Sequence, residues 1–351
     1  MRLLALPSLL AAFACGQALA QVRGAPLRLA PSKLEPVDVL QLGRTSAEQP
    51  ADVRDALLIG RRWIVLDAQA RRLMMYDSRT GVLLAVAGRW GADDGTFDLP
   101  RRLHAAGDTI WVLDVTHRNA ISAFDTTGRF LGSIAPSLAK FGPTGLAVGA
   151  SGNIAVATLT GTDTTAGRAT TLIVTRSGGR IAATCPESPV YERSRRLKGQ
   201  LQGYGFRDVA AHGSKFLCIE PVSPRIVVVD SVGNRLAVID TVAAFYRPPI
   251  DELETPKLTR DRIRAFQAKW TAHERVFATS WGFASVYSQG TDSQPRYRLF
   301  WCQLAPTGRA SGCKDTETVG RPLRMLSGDR LLVAESSSGR TRLVTYRLSR
   351  R

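Results

Sequence analysis

The chain has 351 residues, enough for one large domain or two smaller ones, and its 47 Lys and Arg against 30 Asp and Glu give a formal net charge of +17. Only seven of those 47 are lysine, so the basicity is arginine basicity. Two accounts fit it: an anionic partner, or the Arg- and Ala-rich codon usage of a GC-rich genome; charge alone sets non-specific attraction rather than identity. Beyond the first twenty residues no apolar run reaches the length a membrane-spanning helix requires, which argues against a transmembrane segment.

Residues 1–20 read as an export signal. Met1-Arg2 is a short positive start, 3–13 an apolar run, and Ala18-Leu19-Ala20 a small-x-small cleavage site. The expected mature protein, 21–351, is then exported, periplasmic or secreted. Lipid attachment at Cys15 is the lesser alternative, because Phe13 and the lack of a Leu fit a lipobox poorly.

The stretch 99–136, LPRRLHAAGDTIWVLDVTHRNAISAFDTTGRFLGSIAP, contains four short strands separated by turns. Degraded copies of it recur along the chain, which makes internal repetition the first feature to explain. One signature is a glycine followed seven residues later by an acid: Gly60 and Asp67, Gly107 and Asp114, Gly213 and Glu220, Gly328 and Glu335. An apolar strand lies between the members of each pair, with looser copies in GNIAVAT and WGFASVYS. The other signature is a strand that closes on a glycine turn at Gly81, Gly128, Gly179, Gly233 or Gly308. Glycine supplies the positive φ such turns need, and Asp77, Asp125 and Asp230 are placed to accept hydrogen bonds from the turn amides.

The first signature counts six units and the second five. A spare strand at 36–43 would provide the missing outer strand and close a ring, leaving no exposed sheet edge between its ends. The expected architecture is therefore all-β: a six-bladed β-propeller closed by an N-terminal strand. Before blade five, Leu258, Arg262, Phe266 and Trp270 recur every four residues, which predicts a helical insertion over 250–275. It reads either as a lid over one face or as a helix packed on a blade edge.

These repeats resemble the NHL-type six-bladed propellers, in particular exported bacterial members. The likeness is carried by residues 91–132, GADDGTFDLPRRLHAAGDTIWVLDVTHRNAISAFDTTGRFLG. It implies a fold more than a function, since related propellers include protein-binding scaffolds, lyases and lactonases.

With export removing Cys15, four cysteines remain: 185, 218, 302 and 313. Four thiols allow three pairings. Cys302–Cys313, flanking one turn, is the preferred disulfide, and Cys218 in the apolar strand FLCIE reads as a free thiol.

Aligned on their glycines, the innermost strands place Arg54-Asp55, Arg101-Arg102 and Arg207-Asp208 at one position of the ring, with Arg275 and Arg324 within one or two residues of it. This predicts a basic mouth to the central channel, able to hold a carboxylate, a phosphate or an acidic side chain. The competing reading is structural: Asp67, Asp114, Glu220 and Glu335 end neighbouring strands and would neutralise those arginines. Four histidines are present, with His104 in an innermost strand, His212 at the end of one, His117 in a loop and His273 in the helical insertion. No HExxH, EF-hand, GxSxG, P-loop or dinucleotide signature appears.

The expectation is a non-catalytic binding scaffold for a protein or acidic ligand, without cofactor, and a monomer that binds no nucleic acid. The alternative is a metal-dependent lyase or lactonase in which His104, Asp55 and Asp208 converge on Ca or Zn.

Overall fold

A computed structural model describes residues 30–348 except 92, 115–120, 135–140, 151, 161–167, 175–182, 185–207, 220–222, 232–233, 241–245, 248–268, 291–294, 306–309, 328 and 338. The expected signal at 1–20 and Cys15, His117, Cys185 and Arg207 lie outside the described residues.

The described strands pair into six sheets. In chain order their innermost strands are Val53–Ile59, Pro100–Ala106, Phe141–Val148, Asp208–His212, Thr271–Ala278 and Arg321–Met325. Within each sheet successive strands run antiparallel from the innermost outward. The outermost strand of the last sheet is Glu35–Gln41, which pairs antiparallel with Arg340–Arg347. Just before it, Ala30–Pro31 adds a parallel fifth strand to the Thr271–Ala278 sheet, beside Ala310–Thr318. The N-terminal chain thus bridges the outer edges of two neighbouring sheets.

Alternation along each strand buries both faces, as a sheet packed on two neighbours requires. In Arg62–Asp67, Ile64 and Leu66 pack against Leu103, Ile110 and Phe124 of the next sheet. Trp63 and Val65 turn the other way, onto Leu323, Leu332 and Leu343 of the last sheet. Further apolar clusters join each remaining pair of neighbours. The last sheet therefore packs on the first, and the molecule is a β-propeller whose inner strands surround a central channel. The wedge between those two sheets is pinned by polar contacts. Tyr76 donates to the Glu48 carbonyl at 2.7 Å, and the Thr341 N–H donates to Gln49 Oε1 at 2.9 Å.

The turn chemistry follows the repeats. Asp77 accepts from the Arg79 and Thr80 amides at 3.1 and 2.8 Å, and Asp125 from Thr127 and Arg129 at 2.9 and 3.0 Å. Gly81 and Gly128 beside them have φ of +68° and +91°. Asp230 accepts from the Asn234 amide at 2.8 Å.

The acid that ends the second strand has a different task from the one expected. Asp67 accepts from the Ala51 and Asp52 amides, both at 3.1 Å, and Asp114 from the Asp98 and Leu99 amides at 2.7 and 2.8 Å. These acids clip the loop that enters their own sheet's innermost strand. Glu335 pairs with Arg342 at 2.7 Å and accepts from Tyr346. Among the described residues none of the three pairs with a channel arginine, because each is satisfied by its own sheet.

Most of the expected helix at 250–275 lies outside the described residues, but its end is overturned. Lys269-Trp270 form a bend and Thr271–Ala278 is an innermost strand. Trp270, 3% exposed, closes the entrance to that strand rather than a helical stripe. His273 is accordingly a strand residue, fully buried, stacked on Tyr287 at 4.4 Å between ring centres. Its Nδ1 lies 3.0 Å from the Ser223 carbonyl, so Nδ1 carries the proton and Nε2 is left bare.

Cys302 and Cys313 form a disulfide between adjacent strands, with Cα atoms 4.2 Å apart. Cys218 is disulfide-bonded too, which corrects the expectation of a free thiol. Burial of its strand, which suggested an inert thiol, does not distinguish the two states.

Candidate functional site

Each innermost strand enters the channel at one end, here called the entry end, and most carry a β-bulge just inside it. The register slips between Val53 and Asp55, Pro100 and Arg102, His273 and Arg275, and Pro322 and Arg324. A bulge leaves one residue unpaired and re-aims the side chains around it. The residue immediately after the slip is in every one of these cases charged: Asp55, Arg102, Arg275 and Arg324. Asp208, the first residue of its strand, completes the set.

These five residues form a layer across the channel, buried except at Arg324. Asp55 and Asp208 are 1% and 5% exposed, and Arg275 and Arg102 are 4% and 9%. Asp55 lies 3.5 Å from Arg275 and 3.3 Å from Arg324, while Arg102 lies 3.3 Å from Asp208. The carboxylates also bind neighbouring backbone. The Leu103 N–H donates to Asp55 Oδ2 at 3.0 Å, and the Val276 N–H to Asp208 Oδ2 at 3.1 Å.

The guanidiniums perform the complementary task. A bulge residue's carbonyl has lost its ladder partner and, once buried, needs another donor. Arg275 donates to the carbonyls of the bulge residues Leu323, at 2.7 Å, and Arg54. Arg102 donates to those of Glu274 and Arg101, at 3.4 and 3.2 Å. Arg324 reaches the carbonyls of Ala56 and Leu103 at 3.1 and 2.6 Å. The layer therefore ties together strands of the first, second, fourth, fifth and last sheets.

The third sheet contributes room instead of charge. An added Cβ at Gly145 would lie 2.8 Å from the Asp208 Cα and 2.9 Å from its Oδ1. Only glycine lets the Asp208 strand approach this closely, and Arg102 then reaches Asp208 past the third sheet.

The two carboxylates are unequal. Burial pushes both upward, but at Asp55 the guanidiniums of Arg324, Arg275 and Arg102, with the Leu103 N–H, hold the carboxyl below its usual range. At Asp208 burial wins over Arg102 and Arg275, and the carboxyl is raised. Burial, with Arg102 next to it, pushes the Arg275 guanidinium down to about 10.

Above this layer, at the entry end, lies a rim of Arg54, Arg101, Arg321 and Asp52. Asp52 pairs with Arg54 at 2.7 Å and Arg321 at 2.9 Å, and Arg321 also donates to the Tyr297 hydroxyl at 3.0 Å. Arg101 is pushed down to about 9 by burial and by the charges of Arg54 and Arg102. The rim's charge is uneven: Arg54 and Arg102 disfavour the Arg101 charge, whereas Tyr297, Asp52 and Glu274 favour that of Arg321.

Below the layer, a cavity of about 190 Å³ extends between the later parts of the innermost strands. Its wall includes Leu103, Leu146, Val148, Val209 and Met325, with His104 beside them. Burial, then the nearby Arg324 charge, push His104 down to about 4.

The structure thus gathers Arg54, Asp55, Arg101, Arg102, Asp208, Arg275 and Arg324 around one channel, but in two layers with different partners. Glycine alignment missed Asp52, Arg321 and Gly145. Asp52 precedes the strand, and Arg321 lies two residues before its strand's bulge residue Leu323, whereas Arg54 and Arg101 are bulge residues themselves. A sequence signal existed only for Arg321, a second arginine beside Pro322 in RPLRM. Among the described residues no group of three His, Cys, Asp or Glu is arranged to hold a metal ion.

No family model matches the chain, and no curated protein matches it. Among solved structures the chain is similar to a Bacteroides fragilis protein assigned as exported, with a TM-score of 0.63 and 12% identity over 92% of this chain and 97% of the other. It is also similar to a member of the DUF4221 family from Bacteroides vulgatus, with a TM-score of 0.55 and 6% identity over 90% and 98%. A third similar structure is the PQQ-bound aldose sugar dehydrogenase of Streptomyces coelicolor, with a TM-score of 0.53 and 12% identity over 91% and 99%. At these identities the likeness establishes the fold, and the fold hosts both enzymes and other proteins. No helix among the described residues is long and apolar enough to cross a membrane.

Proposed function

We propose that this chain is an exported, monomeric, six-bladed NHL-type propeller, each sheet counting as a blade, that binds an acidic partner at the entry end of its channel without catalysis. The observation that carries this reading is the rim, where Arg54 and Arg321 share the carboxylate of Asp52 and Arg101 is disfavoured by the charges of Arg54 and Arg102. An incoming carboxylate relieves that repulsion and gains charge-assisted, bidentate hydrogen bonds.

The metal-enzyme reading is weaker on chemistry. Asp55 and Asp208 are already committed to Arg275, Arg324 and Arg102. Those three positive charges oppose a cation at the same place. His104 lines the cavity beneath them, and among the described residues no further carboxylate or thiolate joins it there.

The test is calorimetric titration of an oligoglutamate peptide into the mature protein at low and high salt. Binding should weaken steeply with added salt. The double variant Arg54→Ala/Arg101→Ala should bind at least tenfold more weakly while melting close to the parent. Salt-insensitive binding, or binding unchanged in the double variant, would remove the rim from the account. Near-stoichiometric Ca or Zn in the purified protein, with a melting point that falls on chelation, would move the assignment to the enzyme reading.

A further inference from the structure

The cavity beneath the charged layer is a separate compartment from the rim and has its own chemistry. Its ceiling holds three guanidiniums, Arg102, Arg275 and Arg324, against two carboxylates, Asp55 and Asp208. One positive charge is therefore left over in a mostly buried layer, where an uncompensated charge is costly.

Two donor groups at this ceiling are uncommitted. Arg324 spends its Nε and Nη2 on Ala56, Asp55 and Leu103, leaving Nη1 without a hydrogen bond among the described residues. It is also the most exposed of the three guanidiniums, at 25% of its side chain. His104 makes no hydrogen bond among the described residues and is neutral at physiological pH, so one ring nitrogen carries a donor hydrogen. Both residues line the cavity, and apart from the charged ceiling its wall is aliphatic side chains and Phe277. A volume of about 190 Å³ is small beside the ~300–1,000 Å³ of drug-sized sites and admits only a short molecule.

We propose that this cavity binds a small carboxylic acid with a short unbranched apolar tail. The carboxylate is held by Arg324 Nη1 and His104, and the tail lies against Leu103, Leu146, Val209 and Met325. The ligand's charge compensates the layer, and its tail replaces water on an aliphatic wall. The site is independent of the rim: it lies on the other side of the buried layer and recognises a different part of chemical space.

Hexanoate is the probe, with hexanol as tail alone and acetate as charge alone, titrated calorimetrically into the full mature chain. Hexanoate should bind one per chain and at least tenfold more tightly than either control. Arg324→Gln should weaken hexanoate at least tenfold and leave hexanol unchanged. Because Arg324 also ties strands together, His104→Phe provides the independent charge test. It keeps a ring in place, removes both nitrogens, and should weaken hexanoate severalfold. Ala210→Leu narrows the cavity without touching the charged layer and should abolish binding. The rim variant Arg54→Ala/Arg101→Ala should bind hexanoate like the parent. Hexanoate binding no better than hexanol or acetate, or surviving Ala210→Leu, would overturn the proposal. Loss of hexanoate in the rim variant would overturn it as well, by moving the anion to the rim.

Discussion

Arg275 and Arg54 are joined by a hydrogen bond from the guanidinium of one to the carbonyl of the other, yet the two side chains live in different surroundings. Arg275 is 4% exposed, faces Asp55 and Asp208, and satisfies two bulge carbonyls. Arg54 has 26% of its side chain exposed and pairs with Asp52, itself 29% exposed. Asp55, Asp208, Arg102 and Arg275 hold the ring, because these four are buried and have no water to fall back on. The rim keeps solvent access, so its arginines can exchange water or Asp52 for a ligand at small cost. Position relative to one bulge separates the two tasks by a single residue.

The largest break in that contrast should come from Arg275→Leu. It strips Asp55 of one partner and leaves the Leu323 and Arg54 carbonyls without their donor. Breaking a buried pair from one side costs about 3–5 kcal/mol, which urea unfolding would register as a lower midpoint at unchanged slope. Gly145→Val should follow, at about 1–3 kcal/mol for overpacking, because its side chain collides with the Asp208 backbone. An unchanged melting point there would mean that the third and fourth sheets are not locked at this close approach.

Acid should act on the buried groups in a defined window. His104 and His273 ionise at about 4 and about 3 in the folded protein, against 6.5 when unperturbed. The folded state disfavours their protonated forms, so the stability they contribute is complete above pH 6.5 and is lost as pH falls toward 4 and 3. Each contributes a slope of up to about 1.4 kcal/mol per pH unit there. His104→Phe should flatten the upper part of the melting-point profile; a profile that stays as steep would place the proton uptake elsewhere. Asp55, held low, adds to the acid loss at lower pH, whereas Asp208, held high, favours the folded state when protonated and works in the opposite direction. Asp208→Asn removes the carboxylate paired with Arg102 and should cost less than a cut at Asp55, which serves two guanidiniums. The smallest effect belongs to the rim, where Arg54→Ala should change stability by under about 1 kcal/mol, as partly exposed pairs do.

The sequence disclosed the fold through its turns. Glycines at 81 and 128 with their preceding aspartates marked hairpins, and the apolar strands after Gly60, Gly107 and Gly213 marked sheets buried on both faces. It also disclosed which charged residues approach the channel, because glycine spacing fixes position along a strand. It did not disclose their partners. Those depend on β-bulges, which alter register without a residue signature of their own at Arg54, Arg101, Glu274 or Leu323. The same limit misassigned Asp67 and Asp114, whose contacts are with backbone amides that carry no side-chain identity. The apolar spacing of four that runs to Trp270 masks the strand TAHERVFA, which begins one residue later and carries His273.

The most direct test of the division between buried layer and rim is urea unfolding of Asp55→Asn alongside Arg54→Ala/Arg101→Ala under identical conditions. The account predicts that Asp55→Asn loses about 3–5 kcal/mol, while the rim variant stays within about 1 kcal/mol of the parent. Equal losses in the two, or a rim variant less stable than Asp55→Asn, would contradict it.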